Sequence, residues 1–245
     1  MPITPSSQEA RIVVQQGFSW NGQDAYLFDI DGTLLRSRDQ IHFNSFAAAV
    51  HRVTGFEITL DGIPLHGSTD TAILREACQL AGIPSALMEQ HTEAILEAMR
   101  NAVTEQRSQL DLIRMPGVEM TLDHLAGKGA LLGVATGNLE AIGWIKIEEA
   151  GLREWFCFGG FSDHFSVRSE LIGQAAHKAR EIAGEHTIVC VVGDTPRDIE
   201  AARANLLPVI AVATGNYSFD ELQALEPEVC ASSLADLLAL ARTAT

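Results

Sequence analysis

Short, unbroken apolar runs alternate along the chain with segments of helical spacing. Ala25–Phe28, Ala130–Ala135, Trp155–Phe158, Thr187–Val192, Val209–Ala213 and Val229–Ala231 have the length and composition of strands. Runs without polar alternation suit parallel strands covered on both faces. Between them, Glu119–Lys128, Leu139–Ala150, Glu170–Ala183 and Pro196–Ala204 carry apolar residues at helical spacing. This alternation predicts a doubly wound, parallel-sheet α/β core. Polar or acidic residues follow the strand ends at Asp29, Thr136, Asp194 and Thr214. Open α/β sheets bind ligands at the carboxyl ends of their strands, so the pattern also predicts where chemistry sits.

One stretch breaks the alternation. From about Arg38 to Leu112 the chain shows three helical patterns, Gln40–Thr54, Asp70–Ala81 and Ser85–Gln109, and no convincing strand. This predicts an inserted α-helical domain over 37–112, with 1–36 and 113–245 forming the core. The borders fall in the loops around Leu35–Asp39 and Ile113–Gly117. The near-copies GVATGN (133–138) and AVATGN (211–216) are a local echo at strand ends, and the second is read mainly as turn chemistry.

Composition narrows the class. The 245 residues are 47% hydrophobic and 20% charged, which is globular and excludes a disordered chain. Mean hydropathy is +0.10. No apolar run approaches the roughly 18 residues of a membrane span. With 17 basic and 32 acidic residues the formal net charge is −15, which excludes nucleic-acid binding through a general basic surface. A phosphate-bearing ligand would need local cations or a metal to reverse that field. Cys78, Cys157, Cys190 and Cys230 form no C-x-x-C pair and are expected as buried, reduced thiols. The opening residues do not read as a secretory signal, so the cytoplasm is the expected location.

The strongest chemical signal is Phe28-Asp29-Ile30-Asp31-Gly32-Thr33-Leu34. Two carboxylates past a strand end can face one cleft where Gly32 permits a turn. One carboxylate can attack phosphorus to form an acyl phosphate, and a second can manage the leaving-group proton and then water. A solvated polar turn is the plainer reading of that motif alone. A second strand delivers Asp194 and Asp198 in Val191-Val192-Gly193-Asp194-Thr195-Pro196-Arg197-Asp198. With Asp29 these can form an oxygen-rich Mg²⁺ site, although Asp198 can also cap the helix after it. Ala135-Thr136-Gly137-Asn138 offers a hydroxyl and exposed N–H groups for a phosphoryl oxygen.

In this order the three motifs resemble the haloacid dehalogenase-like hydrolase superfamily, in its phosphoglycolate phosphatase and β-phosphoglucomutase branch. The resemblance spans about Ala25 to Ala239 and implies a Rossmann-like core with a helical cap inserted between the first two motifs. It implies that Asp29 is the phosphate-accepting nucleophile and a Mg²⁺ ligand. Asp31 is then the general acid/base, with its backbone carbonyl on the metal. Thr136 holds a phosphoryl oxygen beside Gly137 and Asn138. Asp194 ligates Mg²⁺, and Asp198 supports the metal or its waters. Dehalogenases of the superfamily lack the second aspartate, so Asp31 favours phosphoryl chemistry.

The family usually places a lysine ahead of the last motif. The lysines here are Lys128, Lys146 and Lys178, and none is expected to fit; Arg168 occupies that place and is expected to neutralise Asp29 and phosphate. In the insertion, His42 and Gly67-Ser68-Thr69-Asp70 are the candidate substrate-facing features, with a helix-surface or interdomain histidine as the plainer reading of His42. Asp70 is read as the cap of its helix, and Trp144 and Trp155 as core. The expected activity is Mg²⁺-dependent hydrolysis of a small phosphorylated metabolite, without nucleic-acid or membrane partners. A β-phosphoglucomutase-like isomerase shares Asp29 and Asp31. A non-catalytic phosphate-ligand binding protein and a phospho-accepting receiver are the remaining alternatives.

Overall fold

The computed structural model describes residues 10–243. The opening residues behind the expectation of no secretory signal lie mostly outside this range. A seven-stranded sheet forms the core, built from β1 (Ile12–Val14), β2 (Ala25–Phe28), β5 (Leu131–Ala135), β6 (Phe158–Gly160), β7 (Val189–Gly193), β8 (Val209–Val212) and β9 (Val229–Ala231). Its order is β1-β9-β8-β7-β2-β5-β6. All neighbours pair in parallel except β1, which runs antiparallel to β9 at the edge.

The apolar runs are continuous because both faces of the sheet are covered. In β2, Tyr26 and Phe28 enter one core, where α4 (Val118–Gly127), α5 (Glu140–Glu149) and α9 (Leu234–Thr243) supply residues such as Leu122, Ile147 and Leu237. Ala25 and Leu27 enter the other, with Leu171 of α6 (Arg168–Ala183), Ile199 of α7 (Pro196–Ala204) and Leu222 of α8 (Phe219–Gln223). Alternate residues of one strand thus face opposite layers, the side-chain period of a strand.

After β2 the chain enters a short antiparallel ribbon, β3 (Leu35–Ser37) with β4 (Leu112–Arg114). Between those strands lie α1 (Ile41–Thr54), α2 (Asp70–Leu80) and α3 (Ser85–Glu105), followed by a 3₁₀ turn over Arg107–Gln109. These helices build their own apolar cluster around Phe46, Leu74, Ile95 and Met99, and it continues onto Leu139, Ile142 and Ile145 at α5. The insertion is therefore a helical cap seated on the core. The chain then forms β5 and β6 on one side of β2 and β7 and β8 on the other. This reversal opens a crevice at the carboxyl end of β2, where such sheets bind ligands.

The structure corrects several expectations. The third core strand is Phe158–Gly160, not Trp155–Phe158. Its Gly-Gly resembles a turn, yet a Cβ on Gly160 would lie 2.7 Å from the Leu171 carbonyl, so the close approach of α6 accounts for glycine there. The third cap helix ends at Glu105 rather than Gln109. Strands β1, β3 and β4 and helices α8 and α9 went unpredicted. All four cysteines are free, but Cys157 is exposed rather than buried. No helix among the described residues is long and apolar enough to cross a membrane.

Candidate active site

Three adjacent strands converge on the crevice. β2 delivers Asp29, whose backbone N–H donates to the Val192 carbonyl at 2.9 Å. The chain then turns at Gly32, where φ is +93°, a conformation only glycine adopts without strain. A Cβ there would also meet Asp194 Oδ2 at 2.4 Å. The turn lets Thr33 donate to Asp194 Oδ1 at 2.9 Å, tying the ends of β2 and β7 together. Asp29, Asp194 and Asp198 place carboxylate oxygens within 4.8 Å of one another, and all three are buried.

Arg168, at the start of α6 and only 7% exposed, sits among them. Its Nη2 lies 2.9 Å from Asp29 Oδ1 and 2.6 Å from Asp198 Oδ1, while Nε donates to Asp198 Oδ1 at 3.0 Å and Nη1 to the Gly67 carbonyl at 3.1 Å. A guanidinium thus lies directly against Asp29. Asp198 also accepts from the backbone N–H and the hydroxyl of Thr195, at 3.0 and 2.7 Å. It thus anchors the α7 N-terminus and holds Arg168 together, so its two readings coexist.

Asp31 stands apart from that cluster. Lys146 Nζ contacts its Oδ1 at 2.8 Å and Oδ2 at 2.7 Å, and donates to Asn138 Oδ1 at 2.9 Å. Asn138 Nδ2 donates to Asp31 Oδ2 at 2.8 Å and to Thr136 Oγ1 at 2.7 Å. Lys146, which the sequence placed in a helix away from the site, thus stands on Asp31, while Arg168 is the cation against Asp29. Lys146 lies on α5, two turns past Asn138, and is buried, 2% exposed. It shares the buried face of α5 with Ile142, Ile145 and Ile147, where a charge requires a partner.

The carboxylates respond to these surroundings. Burial, together with Asp198 and Asp31, pushes Asp29 up to about 6 despite Arg168. Burial and the charges of Asp29 and Asp198 raise Asp194 well above the usual carboxylate range. Desolvation acts upward on Asp31 too, but the Lys146 ammonium and the Asn138 hydrogen bond outweigh it and hold it below that range. Crowded carboxylates with raised proton affinity are the donor set a small divalent cation satisfies, so the residues present fit Mg²⁺.

That fit has a measurable consequence. The contribution of a carboxyl with a raised folded pKa is fully present below its unfolded pKa, and the metal-free chain loses it as pH rises from about 4 through about 6. A divalent cation competes with the proton and relieves the repulsion. Saturating Mg²⁺ should therefore raise Tm more at about pH 7.5 than at about pH 5. Equal increments at both values would contradict this account of the cluster.

The cap closes one side of a cavity of about 400 Å³. Asp70 donates its backbone N–H to the Gly137 carbonyl at 2.7 Å, and its Oδ2 accepts from Leu139 N–H at 2.9 Å and lies 3.0 Å from His42 Nε2. Thr69, not Asp70, caps α2, so the expectation for Asp70 is corrected: it fastens cap to core. His42 lines the cavity and stacks on Phe46 with ring centroids 5.5 Å apart. The Thr214-Gly215-Asn216 turn does more than reverse the chain. Thr214 donates to the Gly32 carbonyl at 2.6 Å, and Gly215 and Asn216 line the cavity. Trp144 and Trp155 pack against the core as expected.

Comparison with known proteins agrees with this geometry. The family model of the haloacid dehalogenase-like hydrolases matches residues 23–205. A phosphoglycolate phosphatase from Agrobacterium fabrum is 27% identical over 217 residues, covering 86% of this chain and 89% of the relative. Among solved structures, a protein from Haemophilus somnus described as a predicted phosphoglycolate phosphatase superposes with a TM-score of 0.63 at 19% identity, covering 89% of this chain and 98% of its own. A candidate β-phosphoglucomutase from Thermotoga maritima superposes at 0.53 with 17% identity, covering 91% and 100%. At these identities the two structures speak for the fold.

Proposed function

The chain belongs to the haloacid dehalogenase-like hydrolase family, and from its site we propose that it is a phosphoric monoester hydrolase, transferring phosphate from a small ester to Asp29 and then to water. The observation that carries this reading is the placement of Asp29. It follows the interior strand β2, lines the cavity, and is flanked by one cation and two further buried carboxylates. Residues 37–112 are taken as the cap domain, and 1–36 with 113–245 as the core.

Asp29 attacks phosphorus, and the bond from phosphorus to the ester oxygen breaks. Asp31 gives its proton to the leaving oxygen. Lys146 holds Asp31 as a carboxylate in the free chain, the form that takes the proton from water, so the proton it gives the leaving oxygen is taken up when the substrate monoester binds. Water then loses a proton to Asp31 and attacks phosphorus, and breaking the Asp29–phosphorus bond frees phosphate. Each proton lent to a leaving group is thus returned by water. Thr136 and the N–H groups after β5 hold phosphoryl oxygens, and Arg168 balances charge on Asp29. Asp29, Asp194 and the Asp31 backbone carbonyl would hold Mg²⁺, with Asp198 in support. When bound, the ion offsets charge on the carboxylates and phosphoryl oxygens.

Lys146 acts through Asp31 and Asn138. Lys146→Met should lower kcat by about 10–10²-fold, the scale of a mispositioned acid/base group, measured with folding verified by circular dichroism. Wild-type kcat in that variant would remove Lys146 from the account. The proposal itself is tested by phosphate release from a panel of small esters, with Mg²⁺ and with EDTA. Metal-dependent release supports it. Isomerised hexose phosphate without release would turn the assignment to a mutase, and tight binding without turnover to a binding protein.

A further inference from the structure

The cavity floor and its cap-side wall differ in chemistry. Carboxylates of Asp29, Asp31, Asp39, Asp70 and Asp194 line it, against Arg36, Lys146 and Arg168 as its lysine and arginine residues. Two of those cations are neutralised by carboxylates. Lys146 is held by Asp31 and Asn138, and Arg168 by Asp29 and Asp198. Arg36 donates to the Thr214 carbonyl at 2.8 Å at an exposed edge. The lining imidazoles also have partners, His42 with Asp70 and His66 with Asn216. Beside its polar residues, the cap brings five apolar side chains to the wall: Phe43 and Phe46 from α1, Leu60 and Leu65 from the loop after it, and Ile73 from α2.

We propose that the leaving group of the substrate is uncharged and lays an apolar face on this wall, so that phosphate is the substrate's only anionic group. The inference rests on the phosphatase reading above and concerns which ester that site takes. A second carboxylate on the substrate would enter a cavity whose acids outnumber its lysine and arginine side chains, and where the two buried cations, Lys146 and Arg168, are already held by carboxylates. A desolvated charge without a counter-ion is costly, whereas apolar atoms gain from leaving water. The phosphate escapes this cost because the metal site and the N–H groups after β5 meet it. The specificity thus differs from what the name of the Agrobacterium relative states, since glycolate carries a carboxylate.

The test compares three esters of similar size with Mg²⁺ present: propyl phosphate, 2-hydroxyethyl phosphate and 2-phosphoglycolate. The expected result is a kcat/KM at least about tenfold higher for the best neutral ester than for 2-phosphoglycolate. Phe43→Lys, on an exposed position of α1 that lines the cavity, installs a cation on the apolar wall and should narrow that ratio. A preference for 2-phosphoglycolate, or equal rates, overturns the inference while leaving the phosphatase reading standing. An unchanged ratio in Phe43→Lys also counts against it. Release from none of the three, nor from any wider panel, overturns the phosphatase reading, and the specificity falls with it.

Discussion

Asp29→Asn is expected to abolish turnover, lowering kcat by about 10⁴-fold or more, while the protein remains folded. The amide is nearly isosteric with the carboxylate but cannot form the acyl phosphate, so the divided pathway is lost rather than slowed. Stability should not fall. Asp29 is buried against Asp194 and Asp198, and its raised pKa shows that its charge is disfavoured where it sits. Removing that charge relieves repulsion in the metal-free chain, although it also takes one partner from Arg168. The pairing of lost activity with retained or increased Tm separates a catalytic role from a structural one. Residual turnover within about tenfold of wild type would place the nucleophile elsewhere.

Arg168→Ala should have the largest effect on the fold. Its guanidinium bridges Asp29 and Asp198 and reaches across to the Gly67 carbonyl in the cap. Deleting one member of a buried ion cluster strands the others, a loss of about 3–5 kcal/mol. The variant should therefore unfold earlier in EDTA, and Mg²⁺ should restore part of the loss by meeting the same carboxylates. Arg168→Lys should fall between the two, because an ammonium cannot make the forked contacts. Thermal melts with and without metal measure all three. An unchanged Tm for Arg168→Ala in EDTA would show that the cluster does not depend on its cation.

Much of this architecture was readable from the chain. Ala25–Phe28 and Val229–Ala231 appear as strands at the expected residues, and Pro196–Ala204 as the expected helix, because continuous apolar runs and a proline at the helix start are strong local signals. The three-residue strands β1, β3 and β4 were not, since elements so short form by pairing with distant chain rather than by local pattern. Asp29, Thr136 and Asp194 announce themselves by following apolar runs. Lys146 does not, because its partners Asp31 and Asn138 come from other parts of the chain and only the fold brings them to it. Asp70 departs from its local pattern for a similar reason. Helix capping is a local rule, while its contacts with Leu139 and His42 are tertiary.

The central claim, that Asp29 carries phosphate during turnover, is open to direct chemical trapping. Enzyme quenched in mid-turnover and reduced with borohydride converts an acyl phosphate on aspartate to homoserine. Tryptic mapping then locates it within Ile12–Arg36, the peptide bounded by Arg11 and Arg36. The account predicts substrate-dependent homoserine at position 29, absent in Asp29→Asn. Homoserine at Asp31 or Asp194 instead, or none at all while phosphate is being released, would contradict it.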